Sequence, residues 1–174
     1  MTSHPHSNPA AARAERARER QHHDQAHLAR HHAEVLRSVR QLRQLAARVE
    51  QGGPDAHSRR LAAAIIGRMD ELVPDVLTRE ARALSPAAGA DDEPWARQAA
   101  DQLRADHGWI STNWYELRPR LDGVAREQSW VDVDQLRDAA DLFCTLLTEH
   151  VGLATTLLER SGRRAEFEAG AAVH

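Results

Sequence analysis

Three histidines and one glutamate stand where the apolar pattern of this sequence demands core residues: His32, Glu80, His107 and His150. Three imidazoles and one carboxylate are enough to hold a single divalent ion. Borderline nitrogen and hard oxygen donors together suit Fe(II), Mn(II) or Zn(II), and an open position would leave room for a small ligand. Two ions would need bridging oxygens, and only Glu80 is left to supply them, so a mononuclear site is the preferred metal reading. The same groups can satisfy one another with no metal, as an imidazolium–carboxylate cluster. A buried carboxylate without any partner would be costly.

The positions come from periodicity. A first helix carries Leu28, Val35, Val39, Leu42 and Ala46 at alternating four- and three-residue steps, and the missing step is His32. A third carries Ala100, Leu103, Ile110, Trp114, Leu117 and Leu121, and the missing step is His107. A fourth carries Leu136, Ala140, Phe143, Leu147, Leu153 or Ala154, and Leu157, with His150 inside the stripe. The second carries Ile65, Met69, Leu72, Val73, Val76 and Leu84, with Glu80 intruding.

Stop and start signals bound these helices. The first is predicted from Ala10 to about Glu50, stopped by Gly52-Gly53-Pro54. The second is expected from about Ser58 to Leu84, with Asp55 or Ser58 as N-cap, Ser85-Pro86 as its end and a loop over residues 87–92. The third starts at Asp92-Glu93-Pro94 and runs to about Asp122, where Gly123 stops it. Asp132-Val133-Asp134-Gln135 opens the fourth, which Ser161-Gly162 closes after Arg160. Pro74 and Pro119 fall inside helices two and three and would tend to kink them, Pro74 close enough to set the aim of Glu80. Strand alternation is absent. The expected fold is all-α, an antiparallel up-down four-helix bundle over residues 21–162, with a disordered or frayed extension over 1–20 and a tail over 163–174.

The chain repeats itself. A shift of 75 residues puts His32 on His107, Val35 on Ile110, Val39 on Trp114 and Leu42 on Leu117. A shift of 74 puts Met69 on Phe143, Leu72 on Leu146, Val73 on Leu147, Val76 on His150 and Glu80 on Ala154. The bundle therefore reads as two duplicated helical hairpins. Each hairpin offers a His from its first helix and two positions four residues apart on its second, which share a face. A complete hairpin would read His … His-x-x-x-Glu, and each half lacks a different member: Val76 in one, Ala154 in the other.

The segments ARHHAEVLRSV, VLTREARALSP, ADHGWISTNWYELRPRL and LLTEHVGLATTLLERSG resemble the hemerythrin-like family of His-His-Glu cation-binding domains, from about Gln25 to Gly162. That resemblance implies a non-haem iron centre in the bundle core and reversible binding or sensing of O2 or NO, or oxidative use of them on a small substrate. By position His32, Glu80, His107 and His150 match family ligands, while Val76 replaces a ligand His and Ala154 a bridging carboxylate, with Thr155 beside it no carboxylate either. Ser111 falls where some members have a further His. The expected cofactor is non-haem iron, with Mn or Zn as alternatives, one ion or at most two. Val76, Ala154, Ser111, Trp114 and Phe143 are expected to line the space beside it.

Composition excludes other classes. The 174 residues carry a net charge of −3, and all 23 basic residues are arginine, so no basic nucleic-acid footprint is expected. One cysteine, Cys144, rules out an intramolecular disulfide and Cys-based metal patterns, and it is expected to pack rather than react. No apolar run reaches membrane length and no signal-peptide core is visible, so a soluble cytoplasmic chain with no membrane partner is expected. Of the eleven histidines, eight lie off the core seams. His23, His27 and His31 recur one turn apart among polar neighbours and read as a solvated face that picks up nickel or zinc adventitiously. Trp109 and Trp130 could anchor an interface or a loop, but core or edge packing is the preferred reading. No Ser/His/Asp triad or phosphate loop is present. Two further functions stand beside the metalloprotein: a metal-free descendant of the fold serving as a small-ligand or protein-interaction module, and an enzyme using the space opened at Ala154.

Overall fold

The computed structural model describes residues 9–90, 94–128 and 131–171. Four helices account for nearly all of them: α1 (Pro9–Gly52), α2 (Ala56–Ala90), α3 (Pro94–Ala125) and α4 (Val133–Ala171). No strand occurs among the described residues. Each helix packs on the next and α1 closes against α4, while α2 and α4 barely touch across the diagonal. This is the up-down bundle that the duplicated hairpins require. Short connections make sequential neighbours antiparallel.

The caps are local chemistry. At the end of α1, Gly53 takes a positive φ of 73° and its N–H donates to the Val49 carbonyl at 2.8 Å, an αL cap that a side chain would strain. Asp55 caps α2: its Oδ1 accepts from the Ser58 N–H at 2.6 Å and from the Ser58 hydroxyl at 2.7 Å. Asp132 caps α4, accepting from the Gln135 N–H at 3.0 Å while the Gln135 side-chain amide reaches back at 3.1 Å.

Three helix ends differ from the sequence expectation. α2 continues through Ser85-Pro86 to Ala90, and α4 continues through Ser161-Gly162 to Ala171. Gly123 does not stop α3. It is buried inside the helix, which ends two residues later. The terminator is Glu127, with a positive φ of 56°. The Gln128 N–H donates to the Gly123 carbonyl at 2.9 Å and the Glu127 N–H to the Val124 carbonyl at 3.2 Å. That pair of bonds is a Schellman motif built without glycine. α1 begins at Pro9 and α2 runs unbroken through Pro74. The Leu84 side chain and Trp130 lie outside the described residues.

The core follows the predicted seams and falls into two clusters. The larger gathers Leu28 to Val49 of α1, Ala62 to Val76 of α2, Ile110 to Val124 of α3 and Leu136 to Val151 of α4. The smaller holds Ala96, Ala99, Ala100 and Leu103 of α3 with Ala154 and Leu157 of α4. His107 lies between the two along α3, and His150 lies just before the junction on α4. Repeat-related positions are buried alike: Val35 with Ile110, Leu42 with Leu117, Met69 with Phe143, Val73 with Leu147 and Glu80 with Ala154.

Candidate metal centre

One side chain from each helix enters a polar layer in this core. Glu80 of α2 is fully buried, 0% exposed, and stands at the centre. The Nε2 of His32 lies 2.6 Å from its Oε1. The Nε2 of His150 lies 2.6 Å from its Oε2, and that of His107 3.2 Å from the same oxygen. All four residues picked out by periodicity therefore meet at one carboxylate. Glu80, His107 and His150 each bring a ligand atom within 4.8 Å of the others, a two-histidine, one-carboxylate set, with His32 on the far oxygen. His32 and His150 are buried, and His107 is the wet edge with 18% of its side chain exposed.

The electrostatics follow from this crowding. Burial by itself would raise the Glu80 carboxyl. Hydrogen bonds from His107, His150 and His32 outweigh it and hold the group well below the usual carboxylate range. Burial by itself would lower His150. Its hydrogen bond to Glu80 and the charge there, with a smaller contribution from Asp106, raise it above the ordinary imidazole value.

Behind the layer stand two residues that periodicity does not single out. Asp106 of α3 places Oδ2 3.4 Å from His150 Nδ1. Thr155 of α4 places its hydroxyl 3.4 Å from His32 Nδ1. Both lie off the apolar seams, where the pattern carries no information. The donor set fits a divalent cation: three imidazoles aim Nε2 inward, and two have an oxygen behind Nδ1, the arrangement that fixes a ligating ring.

Of the expected lining residues, Val76 and Ala154 are buried. Trp114 is buried too; its indole N–H donates to Asp70 Oδ1 at 3.0 Å, and its ring packs on Phe143 at 5.5 Å between centroids. Ser111 is a correction. It is exposed, and its hydroxyl donates to the His107 carbonyl at 2.9 Å: His107 already stands at the wet edge of the layer, and the further rotation of about 40° over four residues carries Ser111 off the core face. Trp109 is another, at 63% exposure on the outer face of α3.

The outer histidines form a separate feature. The His27 and His31 rings meet edge-on at 4.3 Å, and His31 Nδ1 lies 3.0 Å from Asp75 Oδ2. A groove of about 640 Å³ opens there between α1 and α2, beside His31, Glu34, Glu71 and Asp75. Partial burial, then the charges of Arg79 and His31, hold His27 below the ordinary imidazole value. Cys144 is buried, its thiol facing the Val39 carbonyl at 3.6 Å, and burial pushes it up to about 11.

No helix among the described residues is long and apolar enough to cross a membrane. No curated protein and no solved structure matches the chain. The family model described as hemerythrin HHE cation binding domain matches residues 23–156, a span that contains all four converging side chains. The chain belongs to the hemerythrin HHE cation-binding family, with an incomplete ligand set.

Proposed function

We propose that this chain holds a single non-haem divalent ion, iron first, through Glu80, His107 and His150 with His32 as fourth partner, and binds a small diatomic ligand, O2 or NO, beside it. The observation that carries the reading is the convergence of three imidazole Nε2 atoms on one wholly buried carboxylate. Two histidines and one carboxylate are the donor set of non-haem Fe(II) sites with open positions. Apolar side chains at Val76 and Ala154 add no donor, which favours one ion over two. When bound, the ion would supply an electrophilic centre for the diatomic ligand. The chain's part is to hold the imidazoles, keep the carboxylate charged and shield the space with Trp114 and Phe143. A cytoplasmic setting belongs to the same proposal, since a lone buried thiol gains nothing from an oxidising compartment.

The test is metal analysis of untagged protein after anaerobic loading with Fe(II) and desalting. About one equivalent is expected, falling to near zero in His107→Ala, as expected when a binding residue is removed. Anaerobic addition of NO to the loaded protein should produce a new visible absorption that His107→Ala lacks. Less than about a tenth of an equivalent, unchanged in His107→Ala, refutes the reading.

One observation favours a second reading, a metal-free interaction module. Both Glu80 oxygens are already satisfied by imidazole nitrogens. In that case a chelator leaves the thermal midpoint of protein isolated from cells unchanged. A metalloprotein loses stability on the same treatment.

A further inference from the structure

The His150 ring sits between two carboxylates. Its Nε2 faces Glu80 at 2.6 Å, and its Nδ1 faces Asp106 at 3.4 Å. We infer that Asp106 is a positioning residue of the centre: it holds a proton on His150 Nδ1 and so dedicates Nε2 to the polar layer.

The argument is one of donors and acceptors. A carboxylate only accepts, so the nitrogen facing Asp106 has to carry hydrogen. A neutral imidazole has one N–H. In the metal-free layer Nε2, 2.6 Å from Glu80, carries a second hydrogen; when a cation takes that hydrogen's place, the one held at Nδ1 leaves Nε2 as a lone pair aimed at the space shared with Glu80 and His107. Among the described residues neither other imidazole has a carboxylate facing its Nδ1. Thr155 behind His32 can donate or accept, and so dictates no tautomer. Asp106 is itself aimed. The Gln102 side-chain amide, one turn earlier on α3, donates to Asp106 Oδ1 at 2.7 Å and leaves Oδ2 for His150. The bond also ties α3 to α4 at the layer, where His107 and His150 stack edge-on with ring centroids 5.3 Å apart.

The inference rests on the metal reading for its consequence and not for its geometry, so the experiment has two arms. In the first, Co(II) affinity is measured by chelator competition in the full chain, in Asp106→Asn, in Asp106→Glu and in the control Asp101→Asn, whose carboxylate pairs with Arg104 on the exposed face of α3. Loss of an outer carboxylate weakens metal binding about 10–100-fold. That loss is expected for Asp106→Asn, with partial recovery in Asp106→Glu and no change in Asp101→Asn. In the second arm, the His150 ring nitrogens are observed by 15N NMR in the metal-free protein. A protected Nδ1–H is expected in the parent chain, shifted or lost in Asp106→Asn and retained in Asp106→Glu.

An unprotonated Nδ1 in the parent chain, or an Nδ1–H signal untouched by Asp106→Asn, overturns the inference. So does a Co(II) affinity within about two-fold of the parent in Asp106→Asn, short of the loss an outer carboxylate carries. A parent chain that takes up no Co(II) while the NMR arm behaves as expected overturns the metal reading and leaves Asp106 as the residue that sets the His150 tautomer.

Discussion

Glu80→Gln keeps the shape of the central side chain and removes its charge. In the metal-free protein the carboxylate accepts from three imidazoles, two at 2.6 Å and one at 3.2 Å. The amide can still bond to all three. Its oxygen serves His107 and His150, and its NH2 donates to His32, which then carries its hydrogen on Nδ1 toward Thr155. No polar atom is left orphaned, so the loss is charge assistance alone. Hydrogen bonds to a charged group contribute about 1.5–3 kcal/mol and neutral ones about 0.5–1.5 kcal/mol. A deficit of about 1 kcal/mol on each short bond, and less on the long one, sums to about 2–3 kcal/mol. The assay is urea unfolding followed by far-UV circular dichroism at pH 6 with chelator present. The midpoint should fall with the slope unchanged, which marks a change in stability rather than in compactness. In parallel, Co(II) uptake should vanish, since an amide is a far poorer ligand than a carboxylate. A stability change under about 0.5 kcal/mol would show that charge is not what organises the layer, against the expected premium of charged bonds. Unaltered Co(II) affinity would show that Glu80 is not a ligand.

Further outcomes follow from other parts of the bundle. Asp70 accepts from Arg118 and from the Trp114 indole, which hold it below the usual carboxylate range against partial burial. Its contribution is complete above the unfolded carboxyl value of 3.8 and is lost as pH falls through the folded one, so Asp70→Asn should flatten the acid limb of the stability profile. The Cys144 thiol, pushed up to about 11 by burial, should resist iodoacetamide at pH 8 in the folded protein and react once unfolded; rapid native labelling would contradict its packing. Restoring both vacancies with Val76→His and Ala154→Glu should raise Co(II) or Fe(II) capacity from about one equivalent to about two, whereas Ala154→Glu alone should destabilise the metal-free chain by burying an unpaired carboxylate. Capacity that stays at about one in the double variant would show that the vacancies do not set the ion count.

Much of this was legible in the sequence. A seam with a period near 3.5 says which residues face inward, and His32, Glu80, His107 and His150 all do. The 75-residue shift then paired His32 with His107, and the 74-residue shift paired Val76 and Glu80 with His150 and Ala154, one turn apart on corresponding helices. Ser111 was misplaced because family position was carried across without allowing for His107 being already at the edge of the core face, so that its neighbour one turn on falls outside it. Helix ends were read less well. Gly123, Pro86 and Gly162 are local signals, and a helix continues through such residues when its neighbours favour the helical register. The residue that does end α3, Glu127, adopts the conformation that glycine normally advertises, so nothing in its type announces it. Asp106 and Thr155 were invisible for a different reason. They stand behind the imidazoles, off the seam, and only the position of a neighbouring helix gives them a partner.

The division of the core at the polar layer makes the two ends of the bundle unequal in cohesion. Among the described residues the larger cluster contains Phe143, Trp114 and most of the leucines, whereas the buried members of the smaller are four alanines and two leucines, with Trp95, Leu153 and Leu158 packed against them. Apolar stabilisation scales with area buried, so the alanine-rich end is the weaker cooperative unit and the first to exchange its amides with solvent. Were the diatomic ligand proposed above to bind at the layer, it would need no standing channel. It would enter when α3 and α4 part below His107, and its arrival rate would measure how often that end opens.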